Sequence, residues 1–332
     1  RALGRTSVHG EVLMEHERTA IRSAGMTSPI ATSVTRPGHS GLTPTPISTS
    51  NRSTWRRWRD RFFFVLFFAS VAIGILGLGA LVIDVMTDGL GALDFSFINS
   101  YPSRHAGDSG IRAALFGTIW ITVGTAAFAI PIGVGTAIFL EEFAPEHWTV
   151  RLVQLNISNL AGVPSIIYGI LGLALFVQAL SLDRSVLAGS LTMALLVLPI
   201  VIIVSQEAIR AVPGEFRDAA FALGANRWQV VKTVVFPQAI PGIMSGIILA
   251  LSRAVGEAAP MLMISSLVFL TFIPSSPGDR FTVLPVQIFN WVSLPQPGFQ
   301  AVASAGIIIL LAVLLSLNSI AIWIRNRYQT RY

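Results

Sequence analysis

Six long apolar stretches alternate with short polar segments along most of the chain, and this pattern determines the predicted architecture. A transmembrane helix needs about 20 predominantly apolar residues, and each stretch is close to or above that length. The second and fifth stretches are the longest and contain Pro131, Pro241 and Pro260, so kinks or a re-entrant part are expected there. The pattern predicts an all-α integral membrane protein with six transmembrane helices, at residues 62–83, 113–140, 160–180, 186–206, 239–270 and 301–324.

The first 54 residues have a different character from the rest of the chain. They are rich in Ser, Thr, Pro and Arg and show no sustained apolar period. Such a segment buries too little apolar surface to offset the entropy lost when it becomes ordered. We therefore predict a disordered cytoplasmic tail over residues 1–54 and a six-span domain over residues 55–332. A signal peptide is not expected, because no short apolar stretch with a small-residue cleavage site precedes Arg61.

Composition supports the membrane assignment and argues against a nucleic-acid partner and against disulfide or thiolate sites. Hydrophobic residues make up 53% of the chain and charged residues only 12%, whereas soluble domains carry about 25% charged residues. The net charge of +6 would fit a nucleic-acid partner, but the basic residues flank apolar runs, as in WRRWRDRFFF at 55–64. That placement is typical of residues that orient a protein in a membrane. The chain has no cysteine, which excludes disulfides and thiolate sites.

The distribution of basic residues predicts the orientation of the six spans. Loops on the cytoplasmic side of a membrane carry an excess of Lys and Arg. With the N-terminus inside, the cytoplasmic face receives the larger share of these residues, including Arg56, Arg59, Arg210, Arg217, Arg227, Lys232 and Arg325. The opposite face receives only Arg104, Arg112, Arg184 and Arg280. We predict a multi-pass protein of the bacterial inner membrane with both termini in the cytoplasm.

The cytoplasmic loop between the fourth and fifth spans, residues 207–242, has a pattern of its own. Pro213 and Gly214 open a first short helix, and Gly224 suits the left-handed residue that ends it. Asn226, with Gln229 three residues later, forms a plausible capping box for a second helix. A helical hairpin lying on the membrane surface is one interpretation of this pattern.

This loop also resembles the coupling loop of binding-protein-dependent ABC importers. The family signature is Glu-Ala-Ala, three residues, Gly, nine residues, then Ile-x-Leu-Pro. Both spacings are intact here, with three conservative replacements, and the matching residues are Asp218, Ala219, Ala220, Gly224, Val234, Phe236 and Pro237. The resemblance implies that Asp218, Ala219, Ala220, Gly224 and Pro237 dock on an ATPase subunit.

No nucleotide site is predicted within this chain. A phosphate-binding loop of the type G-x-x-x-x-G-K-[ST] needs a lysine after its second glycine. Lys232 is the only lysine, and Val231 precedes it. We therefore expect a transporter subunit that is not an enzyme and holds no cofactor, with ATP used by a partner ATPase. No cluster of potential metal ligands is apparent either.

Four further stretches resemble the permeases of phosphate-specific ABC importers, and the PstA type more than the PstC type. They are PIGVGTAIFLEEFAPE (131–146), GVPSIIYGILGLALF (162–176), SRAVGEAAPMLMI (252–264) and LPVQIFNW (284–291). The resemblance implies inorganic phosphate import with a PstC-like second permease, an ATPase homodimer and an external phosphate-binding protein. An importer of another oxyanion, such as sulfate or molybdate, and a secondary transporter without an ATPase are the alternatives.

Two charges, Arg253 and Glu257, stand alone in the fifth apolar stretch. A charge at the centre of a bilayer costs about 2.5–3.5 kcal/mol, so these two require an explanation. Four residues apart on a helix, they lie on one face and form either an internal ion pair or part of a water-filled path. The resemblance to phosphate permeases implies that both are substrate-translocation residues. By contrast, Glu141 and Glu142 are predicted to be solvated residues at the end of the second span.

Overall fold

The computed structural model describes residues 52–265 and 270–328. Most of the predicted N-terminal tail therefore lies outside the described residues. The chain forms two units, one ending at Phe68 and one beginning at Ala69. Within the described ranges the regular secondary structure is helical, apart from one isolated antiparallel bridge between Ser185 and Arg280.

The described residues contain twelve α-helices, which are numbered here in chain order. Short 3₁₀ turns lie at Leu90–Ala92 and Ala106–Asp108, and wider π-helical segments lie at Phe139–Phe143, Leu173–Ala179 and Val231–Val235. The helices are α1 Arg52–Gly89, α2 Phe95–Asn99, α3 Arg112–Ile138, α4 Trp148–Ala161, α5 Ser165–Gly172, α6 Val186–Arg210, α7 Gly214–Ala222, α8 Arg227–Val230, α9 Phe236–Gly256, α10 Ala259–Ile264, α11 Leu284–Val292 and α12 Gly298–Tyr328.

Among the described residues, five helical segments are long and apolar enough to cross a membrane, and a sixth candidate is bent. The five are Trp58–Ala92, Arg112–Phe143, Val186–Arg210, Arg227–Gly256 and Gly298–Trp323. The bent candidate joins Trp148–Ala161 to Ser165–Ala179 at an angle of 102°. The predicted all-helical membrane fold is thus confirmed with five or six spans.

The third predicted span, at residues 160–180, is not a simple straight helix. Helix α4 ends at Ala161 and is capped by Gly162, and Pro164 adopts φ −55° and ψ 133°, outside the helical region. A proline disfavours helical backbone at the residue before it and removes one backbone donor. These two residues therefore divide the apolar stretch between α4 and α5.

The fifth predicted span, at residues 239–270, also differs from a single helix. Its helical path begins earlier, at Arg227, and continues through the π-helical segment and Pro237 into α9. It then stops at Gly256, and Pro260 stands in the first turn of the short α10. Hydropathy does not register such a break, because every residue around it except Arg253 and Glu257 is uncharged.

The core is formed by α3 and α6, which pack along each other. In the most apolar part of the α6 span, 67% of the residues are buried. A small residue, Gly133, allows close approach, since a Cβ atom there would lie 2.7 Å from Cγ1 of Val201. Helices α9 and α5 pack against α6 as well, so the central helix holds the segments that carry the candidate site.

A polar loop outside the spans supports the start of α6. Its Asp279 carboxylate accepts backbone hydrogen bonds from Ser275 at 2.7 Å and Ser276 at 2.9 Å, which lower the pKa of Asp279 from 3.8 to about 2. The Asp279 carbonyl accepts a bond from the Val186 amide at 2.9 Å. Because the folded pKa is depressed, this contribution to stability is complete above pH 3.8 and is lost as the pH falls towards about 2.

Candidate functional site

Arg253 and Glu257 meet where α9 ends. Nε of Arg253 lies 3.3 Å from Oε1 of Glu257. The prediction of a pair on one continuous helical face is wrong in one respect, because Glu257 is the residue after the helix and has extended backbone with ψ 110°. The break gives the carboxylate an orientation that a helical residue would not have. The two side chains are nevertheless brought together, as the spacing indicated.

The two members of the pair differ in their exposure. The Arg253 side chain is 58% exposed, whereas the Glu257 side chain is only 20% exposed. At 3.3 Å the single hydrogen bond is longer than the 2.7–2.9 Å typical of charge-assisted bonds. Only Nε of Arg253 takes part in this bond, and the pair does not use the other guanidinium N–H groups. A planar guanidinium offers forked donors that match the oxygens of an oxyanion.

Glu257 also lines a small cavity against α3. Three threonines share this cavity with it, namely Thr118, Thr122 and Thr125, and the cavity volume is about 10 Å³. A space of that size holds about one water molecule. Among the described residues, the buried Thr125 hydroxyl has no hydrogen-bond partner. The carboxylate therefore lies beside a small, partly polar cavity and the Arg253 guanidinium.

The loop between α6 and α9 has the local structure that its sequence predicts. Helix α7 begins after Pro213, and Gly224 adopts φ +83°. The Asn226 amide donates to Gln229 Oε1 at 2.8 Å, and the Gln229 amide donates to Asn226 Oδ1 at 2.9 Å. The left-handed glycine and the reciprocal capping box are both confirmed.

The residues that resemble a coupling signature lie on the accessible side of this loop. Asp218 and Ala219 are exposed, and Ala220 is half-buried. Pro237 is exposed in the first turn of α9, which continues the helical path from Arg227. Large apolar side chains are exposed on the same loop, among them Phe216, Phe221, Leu223 and Trp228. Exposed apolar surface of this kind indicates a contact with another protein or with the membrane surface.

Glu141 is not the solvated residue that the sequence suggested. Its carboxylate accepts two bonds from Arg210, 2.8 Å from Nε and 2.6 Å from Nη2, and a third from Gln206 at 2.8 Å. The Glu141 side chain is 13% exposed. The bidentate pair fastens the π-helical end of the second span to the end of α6.

Glu142 is the second correction, and its partner belongs to the loop. Arg217 of α7 donates to Oε1 of Glu142 from Nη2 at 2.9 Å and from Nε at 3.2 Å. The same guanidinium donates to the carbonyls of Ile209 at 2.9 Å and Val212 at 2.6 Å. Arg217 thus joins the second span, the end of α6 and the loop helix in one arginine clamp.

Local sequence patterns could not have identified this clamp. Glu141 and Glu142 are separated by 65 to 75 positions along the chain from the side chains that donate to them. The proximity of these residues depends on the packing of α3 against α6. The available signal was compositional, since two adjacent carboxylates end one span and several arginines follow another. In the described ranges, no group of three or more His, Asp or Glu residues could hold a metal ion.

The chain matches a family model and is similar to several known proteins. Residues 129–330 match the family model described as the inner membrane component of binding-protein-dependent transport systems. A probable ABC transporter permease of Bacillus subtilis, YqgI, is 34% identical over 275 residues, covering 76% of this chain and 94% of that protein. The phosphate transport system permease PstA of Mycobacterium leprae is 32% identical over 79% of this chain and 87% of its own length.

Another relative and two solved structures agree with these matches. The PstA permease of Yersinia pestis is 28% identical over 82% of this chain and 92% of its own length. A bacterial ABC transporter that imports alginate superposes with a TM-score of 0.62 and 14% identity, over 84% of this chain and 99% of its own. A chain of the MetNI methionine transporter superposes with a TM-score of 0.55 and 17% identity, over 67% and 96%. These structures share the fold.

Proposed function

This chain belongs to the family of binding-protein-dependent transport system inner membrane components, and from that premise we propose that it conducts inorganic phosphate. It is a multi-pass permease subunit of an ABC importer, in which separate subunits hydrolyse ATP. Phosphate is the proposed substrate, and the PstA permeases of several bacteria, 28–32% identical to this chain, support that choice.

The observation that carries the proposal is the exposed guanidinium of Arg253 beside the largely buried Glu257 at the end of α9. Arg253 would bind phosphate oxygens transiently through its forked donors. Glu257 would hold the guanidinium in place between substrates and, by repulsion, keep phosphate from binding too tightly to leave. Both residues are proposed to act in translocation.

The loop that contains α7 is proposed to be the ATPase contact. Asp218, Ala219, Ala220 and Gly224 would lie in a groove of the ATPase, with the exposed apolar side chains around them, and Pro237 would mark the return to the membrane. This assignment requires the loop and both termini to face the cytoplasm, as the basic residues indicate. A PstC-like permease, a pair of ATPase subunits and an external phosphate-binding protein would complete the importer.

The test of the proposed substrate is uptake by the reconstituted complex. We expect ATP-dependent accumulation of labelled phosphate in vesicles, with little competition from excess sulfate. Omission of ATP or of the binding protein should abolish accumulation. Equal competition by sulfate would identify a general oxyanion importer, and uptake driven by a proton gradient without ATP would contradict an ABC mechanism.

A further inference from the structure

An apolar groove of about 240 Å³ runs between α9 and α12. Met244, Ile248 and Leu251 line it from α9, and Leu317, Ile320 and Ala321 line it from α12. All six residues lie within the segments long and apolar enough to span a membrane. From Met244 to Val255, which also lines the groove, the helix rises by about 16 Å. The groove therefore extends through much of one leaflet.

Two polar side chains at the wall of this groove, Ser252 and Asn318, contact each other. The Ser252 hydroxyl lies within hydrogen-bonding distance of Asn318 Oδ1 and of the Ile248 carbonyl, and it donates its one proton to one of them. Apart from these two residues and Thr122, the residues that line the groove are apolar. An occupant of this part of the groove must be a hydrocarbon chain or an apolar side chain.

One end of the groove carries a cation. Arg325 lies one helical turn beyond Ala321 and two residues beyond the end of the last span at Trp323. Its Nη1 donates to the Ser245 hydroxyl oxygen at 3.2 Å, and Ser245 adjoins Met244 at the end of the groove. The guanidinium is thus held at the membrane interface by the same helix that forms the groove wall.

Within the described part of the chain, the hydrogen-bond partners of Arg325 are all uncharged. Besides Ser245, it contacts Oδ1 of Asn326 at 3.3 Å and 3.4 Å. None of the ion pairs among the described residues includes it. Arg217 and Arg210, in contrast, are each neutralised by a carboxylate. The charge of Arg325 is therefore available to an anion at the mouth of an apolar groove.

We propose that the groove and Arg325 form a binding site for an anionic phospholipid. One acyl chain lies between α9 and α12, and the headgroup phosphate accepts forked hydrogen bonds from the guanidinium. Basic pockets between transmembrane helices bind anionic headgroups in this way. The groove shares Thr122 and Val255 with the cavity beside Glu257, but its cation, Arg325, lies at the opposite end, next to Ser245.

Charge and polarity decide against two other occupants. Free inorganic phosphate would use the guanidinium but would leave the apolar groove in contact with a small hydrated ion. A helix of a second permease would fill the groove but would bury the cation against an apolar surface unless it also supplied a carboxylate. An anionic phospholipid satisfies both ends of the site at once.

Lipid retention by the purified importer complex tests the proposal. The complex is delipidated, incubated with equal amounts of phosphatidylglycerol and phosphatidylcholine, and analysed by native mass spectrometry. We expect preferential retention of phosphatidylglycerol and an apparent affinity about fivefold weaker for Arg325→Gln, as loss of one interfacial cation predicts. Arg325→Lys should retain most of the preference, because the charge remains.

A second variant and a matched control separate this site from general lipid contact. Ala321→Phe keeps the cation but fills the groove, so it should reduce retention as strongly as Arg325→Gln. Arg59→Gln removes a cation near the end of a different span and should leave retention unchanged. Excess inorganic phosphate should not displace the lipid.

Several results would overturn the proposal. Equal retention of the two lipids, wild-type retention by Arg325→Gln, or displacement by inorganic phosphate would each exclude an anionic lipid site. A cysteine at position 321 that crosslinks to the second permease, in a complex that retains no lipid, would assign the groove to a subunit contact.

Discussion

Arg253 and Glu257 form the most distinctive contact at the residue scale, because their charges lie in an apolar stretch and are only loosely paired. A buried pair retained for packing would show short bonds and shielding of both side chains. Here the bond is 3.3 Å long and the arginine is 58% exposed. The pair is therefore suited to a partner exchange, in which a passing anion replaces the carboxylate at the guanidinium.

The arginine clamp is the second contact at this scale, and Arg217→Gln tests it. The change leaves Glu142 without its cation and removes donors from the carbonyls of Ile209 and Val212, so local stability should fall by roughly 2–3 kcal/mol. We expect amide hydrogen exchange in α7 to accelerate by about thirtyfold to a hundredfold, since 1.4 kcal/mol corresponds to a factor of ten. Mass spectrometry of the purified complex measures this exchange.

Arg227→Gln provides the matched control for the clamp. Arg227 lies in the same loop and is exposed, so the variant removes the same charge without removing a clamp contact. Exchange in α7 should match the wild type in this variant. Wild-type exchange in Arg217→Gln as well would show that α7 is held by other contacts.

At the element scale, local signals were predictable, whereas of the two helix interruptions only the one before Pro260 was expected, because a proline marks it. Gly224 and the Asn226–Gln229 box depend on neighbouring residues only, and both were correctly predicted. The end of α9 at Gly256 and the bend at Pro164 lie inside apolar stretches, where the membrane favours helix and hydropathy gives no boundary. The tertiary pairing of Glu142 with Arg217 was out of reach for the same reason, since it requires the packed helices.

Gly224 tests whether α7 and its left-handed end form the coupling element. A Cβ atom at this position meets nothing within 4 Å, so Gly224→Val acts through the φ of +83° alone and costs about 1–3 kcal/mol. If docking requires this turn, the amount of co-purified ATPase should fall by roughly fivefold to a hundredfold. The spans should remain inserted.

Gly107→Val serves as the control for this substitution. Gly107 also has open space around a Cβ atom, but its φ lies outside the left-handed region, and it is far along the chain from the loop. Co-purification of the ATPase should be normal in this variant. Normal co-purification in Gly224→Val as well would contradict the coupling assignment.

At the scale of the whole molecule, orientation connects the two sites. Cysteine labelling is clean because the sequence contains no cysteine. On intact cells, an impermeant thiol reagent should label cysteine at Ser103 or Ser276 and should fail to label cysteine at Asn226 until the membrane is opened. Reversed labelling would place α7 outside and remove the basis for its contact with an ATPase.

The most direct test of a translocation role for Arg253 and Glu257 is phosphate uptake per assembled complex in variants that lack one or both charges. If Arg253 binds the passing phosphate, Arg253→Gln should reduce uptake by about tenfold to a hundredfold, as expected for loss of a charge-assisted hydrogen bond. Arg253→Lys should retain only part of the activity, because a point charge lacks the forked geometry.

The deciding variant combines Arg253→Met with Glu257→Leu. It removes both charges and replaces the pair with two apolar side chains of similar size. A pair with a purely structural role is often replaceable in this way without loss of stability. We expect normal assembly with the ATPase and the second permease, together with loss of ATP-dependent phosphate uptake. Full uptake by the double variant would contradict a translocation role for Arg253 and Glu257.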